Sequence, residues 1–273
     1  MMPLPRDLPQ ALRHIAESAA REGGRVAREA FGSDLNVERK ADGSEVTPAD
    51  LAAQTAVIRH IRTVRPHDCF LTEEETADSS LSTADPGAIW WIIDPIDGTR
   101  NFIRGVPLFA CSVAACSSSS AIAGAIYWVS QDTMYSAALG HGATCNARAL
   151  LPLDAGRARD GRSGRPVVGV PSSISDEIRD TALRWIDNGV VRNLGSTALH
   201  LALVAAGGMD AALCSDSKLW DIAAGWVLIT ELRGRIHHPS GGAIFPREIS
   251  LYDRSCTPCV AIRDERVAAR LQN

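Results

Sequence analysis

Asp94 and Asp97 stand three residues apart in the run from Trp90 to Pro107, WWIIDPIDGTRNFIRGVP, directly after an apolar, aromatic-rich segment. Two carboxylates at the end of a buried strand are costly unless something positive neutralises them. Carboxylate oxygens are the ligands that hard cations such as Mg²⁺ prefer. Gly98-Thr99 follows and leaves backbone N–H groups free at a turn, which suits a phosphate. A strand, an acidic turn and an anion cradle in this order point to metal-dependent phosphate chemistry.

Glu73 and Asp221 extend the acidic set, each placed where a strand ends or a helix begins. Sites gather at such places in layered α/β folds. Four carboxylates in one site repel unless cations bind between them. Two or more Mg²⁺ ions there would hold a phosphate ester between an attacking water and a leaving oxygen. Every one of these residues also has a plainer reading. Glu73-Glu74-Glu75 suits a solvated acidic loop, Asp-Pro and Asp-Gly are common turn dipeptides, and Asp221, or Thr47 with Asp50, suits a helix cap. Spacing alone leaves both readings open.

The elements that must position these residues follow from periodicity. Leu12, Ile15, Ala16, Ala19, Val26, Ala27 and Ala30 predict a helix over 8–31, ended by Gly32. Asp34–Glu45 reads as a short strand and loop. Thr47-Pro48-Ala49-Asp50 is a strong helix start, and Pro66 stops that helix. Strands are expected at 69–71, 89–93, 110–116, 121–129 and 133–138, with Ser117–Ser120 as a hairpin turn and Asp78–Pro86 as a polar loop. After the Gly-, Arg- and Asp-rich stretch 151–166 the rhythm changes. Strands at 167–170, 190–193, 211–214 and 260–262 alternate with helices at 175–187, 197–206 and 221–232. This predicts an α+β half over 1–150, carrying the acidic motifs, and an α/β half over 151–273 that completes the site.

With 273 residues, 45 % hydrophobic content and a net charge of −4, the chain has the composition of an ordinary globular protein. Nothing in that charge favours a nucleic acid or an anionic membrane. No signal peptide and no apolar run near the ~20 residues of a membrane span are visible. The seven cysteines are scattered, odd in number and read as reduced thiols in a cytoplasm.

WIIDPIDGTRNFIRGVP resembles a signature of the inositol monophosphatase family, roughly W-x-x-D-P-[IL]-D-G-T-x-N-F-x-x-x-x-P. LWDIAAGWVLITELRG, residues 219–234, resembles the family's second signature. Glu73-Glu74 follows Phe70-Leu71-Thr72 where the family has G-E-E, and Thr47-Pro48-Ala49-Asp50 matches its T-x-x-D. The resemblance implies an alternating α-β-α-β-α sandwich and a cytoplasmic, dimeric, lithium-sensitive phosphomonoesterase with two or three Mg²⁺ per site. It implies that Glu73, Asp94, Asp97, Asp221 and the Ile96 carbonyl ligate the metal. Gly98 and Thr99 would offer backbone N–H groups to the phosphate, with Asp97 and Asp221 also on the substrate side. Thr99, paired with Asp50, and Glu73 would orient and deprotonate a metal-activated water for in-line attack, with no phosphoenzyme.

The chain departs from the pattern at three places. Thr72 replaces the usual Gly, and Leu232-Arg233 replaces Ala-Gly. Inositol-specific members carry a Glu seven residues before the signature Asp, and here Cys214 stands there. A thiol is a poor partner for a sugar-like hydroxyl. Histidinol phosphate, sugar phosphates, fructose 1,6-bisphosphate and 3′-phosphoadenosine phosphates therefore stay open beside inositol phosphate. Asp216 and Lys218 lie nearby, as specificity residues or as plain loop positions. Cys256-x-x-Cys259 lacks a second ligand pair and reads as incidental buried thiols. His14, His60, His67, His141 and His200 read as structural, and Trp220 as core or site entrance. The competing class of function is a non-catalytic module that binds protein or RNA on this fold.

Overall fold

A computed structural model describes residues 5–33, 35–40, 43–75, 88–152 and 164–272. The polar loop read at 78–86, and 153–163 of the boundary stretch, lie outside the described residues. The first half contains α1 (Leu8–Ala30), β1 (Glu38–Arg39), β2 (Glu45–Val46), α2 (Pro48–Val64), β3 (Cys69–Thr72), β4 (Trp90–Asp97) and α3 (Thr99–Ile103). It continues with β5 (Ala110–Cys116), β6 (Ala121–Trp128), β7 (Thr133–Ala138), β8 (Ala143–Cys145) and β9 (Arg148–Ala149). The second half contains β10 (Val167–Gly169), α4 (Arg179–Asn188), β11 (Val190–Arg192), α5 (Thr197–Ala205) and β12 (Ala211–Cys214). It closes with α6 (Leu219–Glu231), β13 (Arg235–His237), β14 (Cys259–Ile262) and α7 (Glu265–Gln272).

Strands β3 to β9 form a seven-stranded sheet in chain order. β11-β10-β12-β14-β13 form a five-stranded mixed sheet. The side-chain period of two explains how the large sheet is covered on both faces. Trp91 and Ile93 pack into one core with Leu12, Ala16 and Val57 of α1 and α2. Trp90 and Ile92 point the other way, into a second core with Leu201 of α5, Val227 of α6 and Ala212 of the small sheet. Ile92 and Ile93 are fully buried, each contributing about 1.5–3 kcal/mol of hydrophobic stabilisation. α4 and α7 cover the outer face of the small sheet through Trp185, Val267 and Leu271. The layers are helix, sheet, helix, sheet, helix.

Gly124 of β6 shows how tightly the middle layer sits. A Cβ there would meet the Ala224 Cα of α6 at 2.7 Å, so the helix reaches the sheet only over a bare backbone.

Several boundaries differ from the sequence reading. β4 runs on to Asp97, past the expected end at Ile93, because β5 stays paired with it through Asp94↔Ser112 and Asp97↔Ala110. A register shift between these pairs accommodates Pro95, which has no N–H to give. The aspartates are thus strand residues around a bulge, not turn residues beyond a strand. The expected 175–187 helix opens with a separate 3₁₀ turn at Asp176–Ile178. α6 begins at Leu219, two residues before Asp221. α3, α7, β8, β9 and β13 are additional short elements, which carry too few residues to show a period.

Candidate metal and phosphate site

β3 and β4 are parallel neighbours, with Thr72 opposite Ile93. Their C-terminal ends therefore open side by side, and the Glu73 N–H donates to the Ile93 carbonyl at 3.0 Å. Glu73 is brought beside Asp94 in this way. Gln54, fully buried on α2, holds the same loop with both ends of its amide: Nε2 donates to the Glu74 carbonyl at 2.8 Å and Oε1 accepts the Glu74 N–H at 3.1 Å. Arg254 donates to the Thr72 and Glu73 carbonyls at 3.0 and 2.5 Å while its guanidinium lies 4.7 Å over the Trp220 ring.

Asp221 arrives from the opposite layer. It is the third residue of α6, and its Oδ2 accepts the Lys218 N–H at 2.7 Å. The first turn of α6 lies against β5, where the Ser112 hydroxyl donates to the Trp220 carbonyl at 3.3 Å. Ser112 is the strand partner of Asp94. Oxygens of Asp94, Asp97 and Asp221 lie within 4.8 Å of one another.

Electrostatics makes this an unstable arrangement on its own. Burial pushes the Asp94 carboxyl well above the usual carboxylate range, and Glu73, Asp97 and Asp221 push it further. Burial, then Asp97 and Glu73, raise Asp221 in the same way. Burial lifts Glu73 to about 7 although Lys40 opposes it. Asp97 rises to about 6 by burial, held back by the Ser196 hydroxyl and the Ala198 and Thr197 N–H groups. Those donors are the start of α5, where Ala198 N lies 2.8 Å from Asp97 Oδ2. Lys40 answers part of the excess charge, with its Nζ 3.0 Å from Glu73 and 2.5 Å from Glu74. All of the converging donors are oxygens and most are anionic, which is the donor set of a hard divalent cation.

The anion side is built from backbone. Gly98 adopts φ +101°, and a Cβ there would meet the Leu108 carbonyl at 2.9 Å. Only glycine takes that turn without strain, and the turn starts α3 at Thr99. Gly98→Ala is expected to lower stability by about 1–3 kcal/mol, read from the urea unfolding midpoint. An unchanged midpoint would show that the turn is not constrained. Thr99 Oγ1 lies 3.1 Å from the Ile96 carbonyl and 3.4 Å from Asp50 Oδ1. The other oxygen of Asp50 accepts the Thr47 N–H at 2.8 Å and the Thr47 hydroxyl at 2.7 Å. Asp50 is therefore both a helix cap and a partner of Thr99, so the two readings of the sequence do not compete.

These groups open into a cavity of about 300 Å³ whose walls include Glu73, Gly98, Thr99, Thr197 and Asp221. A second, of about 860 Å³, is lined by Lys40, Trp220, Arg254 and Cys256 among others, and shares Glu73, Asp216 and Asp221 with it. Ser196, Thr197, Lys40 and Arg254 were not singled out from sequence. Ser196 had a local signal, a helix N-cap before an apolar run. Lys40 and Arg254 had none. Cys214 does not line either cavity. It is fully buried at the end of β12, and its thiol faces Cys259 across the paired strands. Cys256, read as buried, is exposed. Among the described residues no other group of Cys, His, Asp or Glu has metal-ligand proximity, and no helix is long and apolar enough to cross a membrane.

The sequence pattern of the inositol monophosphatase family matches residues 8–271. An inositol-1-monophosphatase of Mesorhizobium japonicum is 36 % identical over 240 residues, covering 85 % of this chain and 87 % of that protein. A Pasteurella multocida protein called Nus factor SuhB is 31 % identical over 241 residues, covering 84 % and 85 %. The crystal structure of the extragenic suppressor protein SuhB from Bartonella henselae superposes with a TM-score of 0.79 at 27 % identity, covering 96 % of this chain and 97 % of that one. With its layered fold and a family match from the first helix to the last, this chain belongs to the inositol monophosphatase family.

Proposed function

We propose that this protein is a Mg²⁺-dependent phosphomonoesterase acting on a small phosphorylated metabolite, with an inositol 1-phosphate-like ester first among the candidates. The observation that carries this reading is the meeting of Asp94, Asp97 and Asp221 within 4.8 Å beside the left-handed Gly98 turn. In this reading residues 1–150 carry the acidic motifs and 151–273 complete the site with Asp221.

Glu73, Asp94, Asp97, Asp221 and the Ile96 carbonyl would hold the metal. When bound, two or three Mg²⁺ ions supply charge neutralisation and Lewis acidity, and lower the pKa of a water toward neutrality. The chain's own part is positioning. The Thr99 hydroxyl, within 3.4 Å of Asp50, would orient the attacking water, and Asp50 and Glu73 would receive its proton. Burial raises the Asp50 carboxyl, which suits it to take a proton relayed through the Thr99 hydroxyl. The N–H groups at Gly98 and Thr99 would bind the phosphoryl oxygens. A fixed phosphoryl group with water on one side and the leaving oxygen on the other permits in-line displacement with no covalent enzyme intermediate.

The test is phosphate release from inositol 1-phosphate, histidinol phosphate, fructose 1,6-bisphosphate and 3′-phosphoadenosine 5′-phosphate, with Mg²⁺ and with EDTA. Mg²⁺-dependent release from a monoester, abolished by EDTA, is expected. The Pasteurella relative's name supports a second reading, a regulatory binding protein on the same fold. Tight Mg²⁺ binding with no release from any ester would favour that one.

A further inference from the structure

β10 and β12 are parallel neighbours, so the loops leaving their C-terminal ends lie together at the mouth of the smaller cavity. The Ser175 N–H donates to the Ser215 hydroxyl at 3.0 Å, which ties one loop to the other. Asp216 sits where they meet and lines both cavities. The Ser173 hydroxyl donates to Asp216 Oδ2, and the Ser215 hydroxyl to Oδ1 at 3.3 Å. The carboxylate is thus held by one hydroxyl from each loop, and each of its oxygens retains a free acceptor position.

The rest of this chamber is short of positive charge. Arg100 is the only Lys or Arg among the described residues lining it, and it is largely exposed and lies 3.9 Å from Glu45. His200 also lines it. Burial lowers its pKa to about 4, so it stays neutral at pH 7 and accepts the Leu194 N–H through Nε2. The remaining walls include Ser172, Ser173, Asn193 and Ser217. Lys40, Lys218 and Arg254 border the larger cavity on the other side of Asp216; within the smaller chamber a second phosphate or a carboxylate on the leaving alcohol would face Asp216 with little to neutralise it. Hydroxyl groups would find one strong acceptor and several neutral partners.

We propose that Asp216, rather than the buried Cys214, is the specificity-determining residue, and that it selects esters whose leaving group is an uncharged polyol. The inference rests on the phosphomonoesterase reading above. Its test is steady-state kinetics of the full chain with Mg²⁺ on inositol 1-phosphate and on 4-nitrophenyl phosphate, whose leaving group has no hydroxyl donor to offer Asp216. Asp216 is exposed, so Asp216→Ala should fold. The variant is expected to raise KM for inositol 1-phosphate about tenfold or more, with kcat within about threefold and both constants for the aryl ester unchanged. An unchanged KM, or an equal rise for both esters, overturns the assignment. So does a wild-type preference for the ammonium-bearing histidinol phosphate that Asp216→Ala abolishes. Release from neither ester by the wild type, with release from another ester of the panel above, overturns the assignment and leaves the phosphatase reading standing; release from none removes both.

Discussion

Asp94→Asn is expected to cut Mg²⁺-dependent phosphate release by about a thousandfold or more, while the metal-free protein melts at a higher temperature than the wild type. Both effects come from one carboxyl. Asp94 is almost fully buried and faces Glu73, Asp97 and Asp221. Asparagine keeps an oxygen that can accept the Ile96 N–H, which now donates to Asp94 Oδ1 at 3.0 Å. The bulge in β4 should therefore survive the change. What goes is a carboxyl that the metal-free fold must keep protonated and that, ionised, neutralises a cation in the filled site. Losing about 4 kcal/mol of transition-state stabilisation corresponds to a thousandfold in rate. Asparagine is neutral without a bound proton, so it removes the cost of keeping Asp94 protonated above its ordinary pKa and stabilises the metal-free fold. Phosphate-release assays and EDTA melts on the same preparations read the two together. Activity near wild type would sink the metal-ligand assignment. A lower melting point in EDTA would show that Asp94 has a structural role beyond charge.

The second large effect is on the pH dependence of the metal-free protein. Carboxyls raised by folding bind more protons in the native state than in the unfolded one, so stability falls as pH rises through the gap. For Asp97 the gap runs from the ordinary value near 4 to about 6, and for Glu73 to about 7. For Asp94 and Asp221 it extends further up. His200 works the other way. Its pKa of about 4 lies below its ordinary value near 6.5, so it adds stability as pH rises between the two and nothing above. The melting temperature in EDTA is therefore expected to fall from about pH 5 to 8, with His200 offsetting part of the fall below about 6.5. Millimolar Mg²⁺ should raise it at pH 8 and flatten the slope, because the ion binds the native carboxylates only. Asp97→Asn should lose most of that gain. A melting point that climbs through this interval in EDTA, or ignores Mg²⁺ at pH 8, would refute the cluster's electrostatics.

Much of the scaffold is legible in local pattern. The unbroken apolar run Trp90–Ile93, ended by Asp94-Pro95, marks a strand buried on both faces, as the two cores show. Thr47-Pro48-x-Asp50 writes its own helix start, and the capping box is present. These signals are legible because the interactions behind them span four residues or fewer. The acidic residues are legible as chemistry for a similar reason: Asp94, Asp97 and Gly98 sit in one short run.

Other features depend on segments brought together from far apart. Lys40 meets Glu73 across 33 positions, Ser196 meets Asp97 across 99, and Arg254 meets Glu73 across 181. Nothing within a few residues of Lys40 or Arg254 distinguishes them from surface charges. Cys214 and Asp216 show the same limit at close range. They are two positions apart, yet β12 turns the first into the core against Cys259 and leaves the second to the loop beyond its end. Sequence alone determined the family motifs, the buried strand and the carboxylates, because each is a local matter of residue type and period. Tertiary structure decided which oxygens meet, which cation offsets them and which side chains line the cavities. Those outcomes depend on the parallel pairing of β3 with β4 and of β10 with β12, and on the packing of α5 and α6 between the sheets.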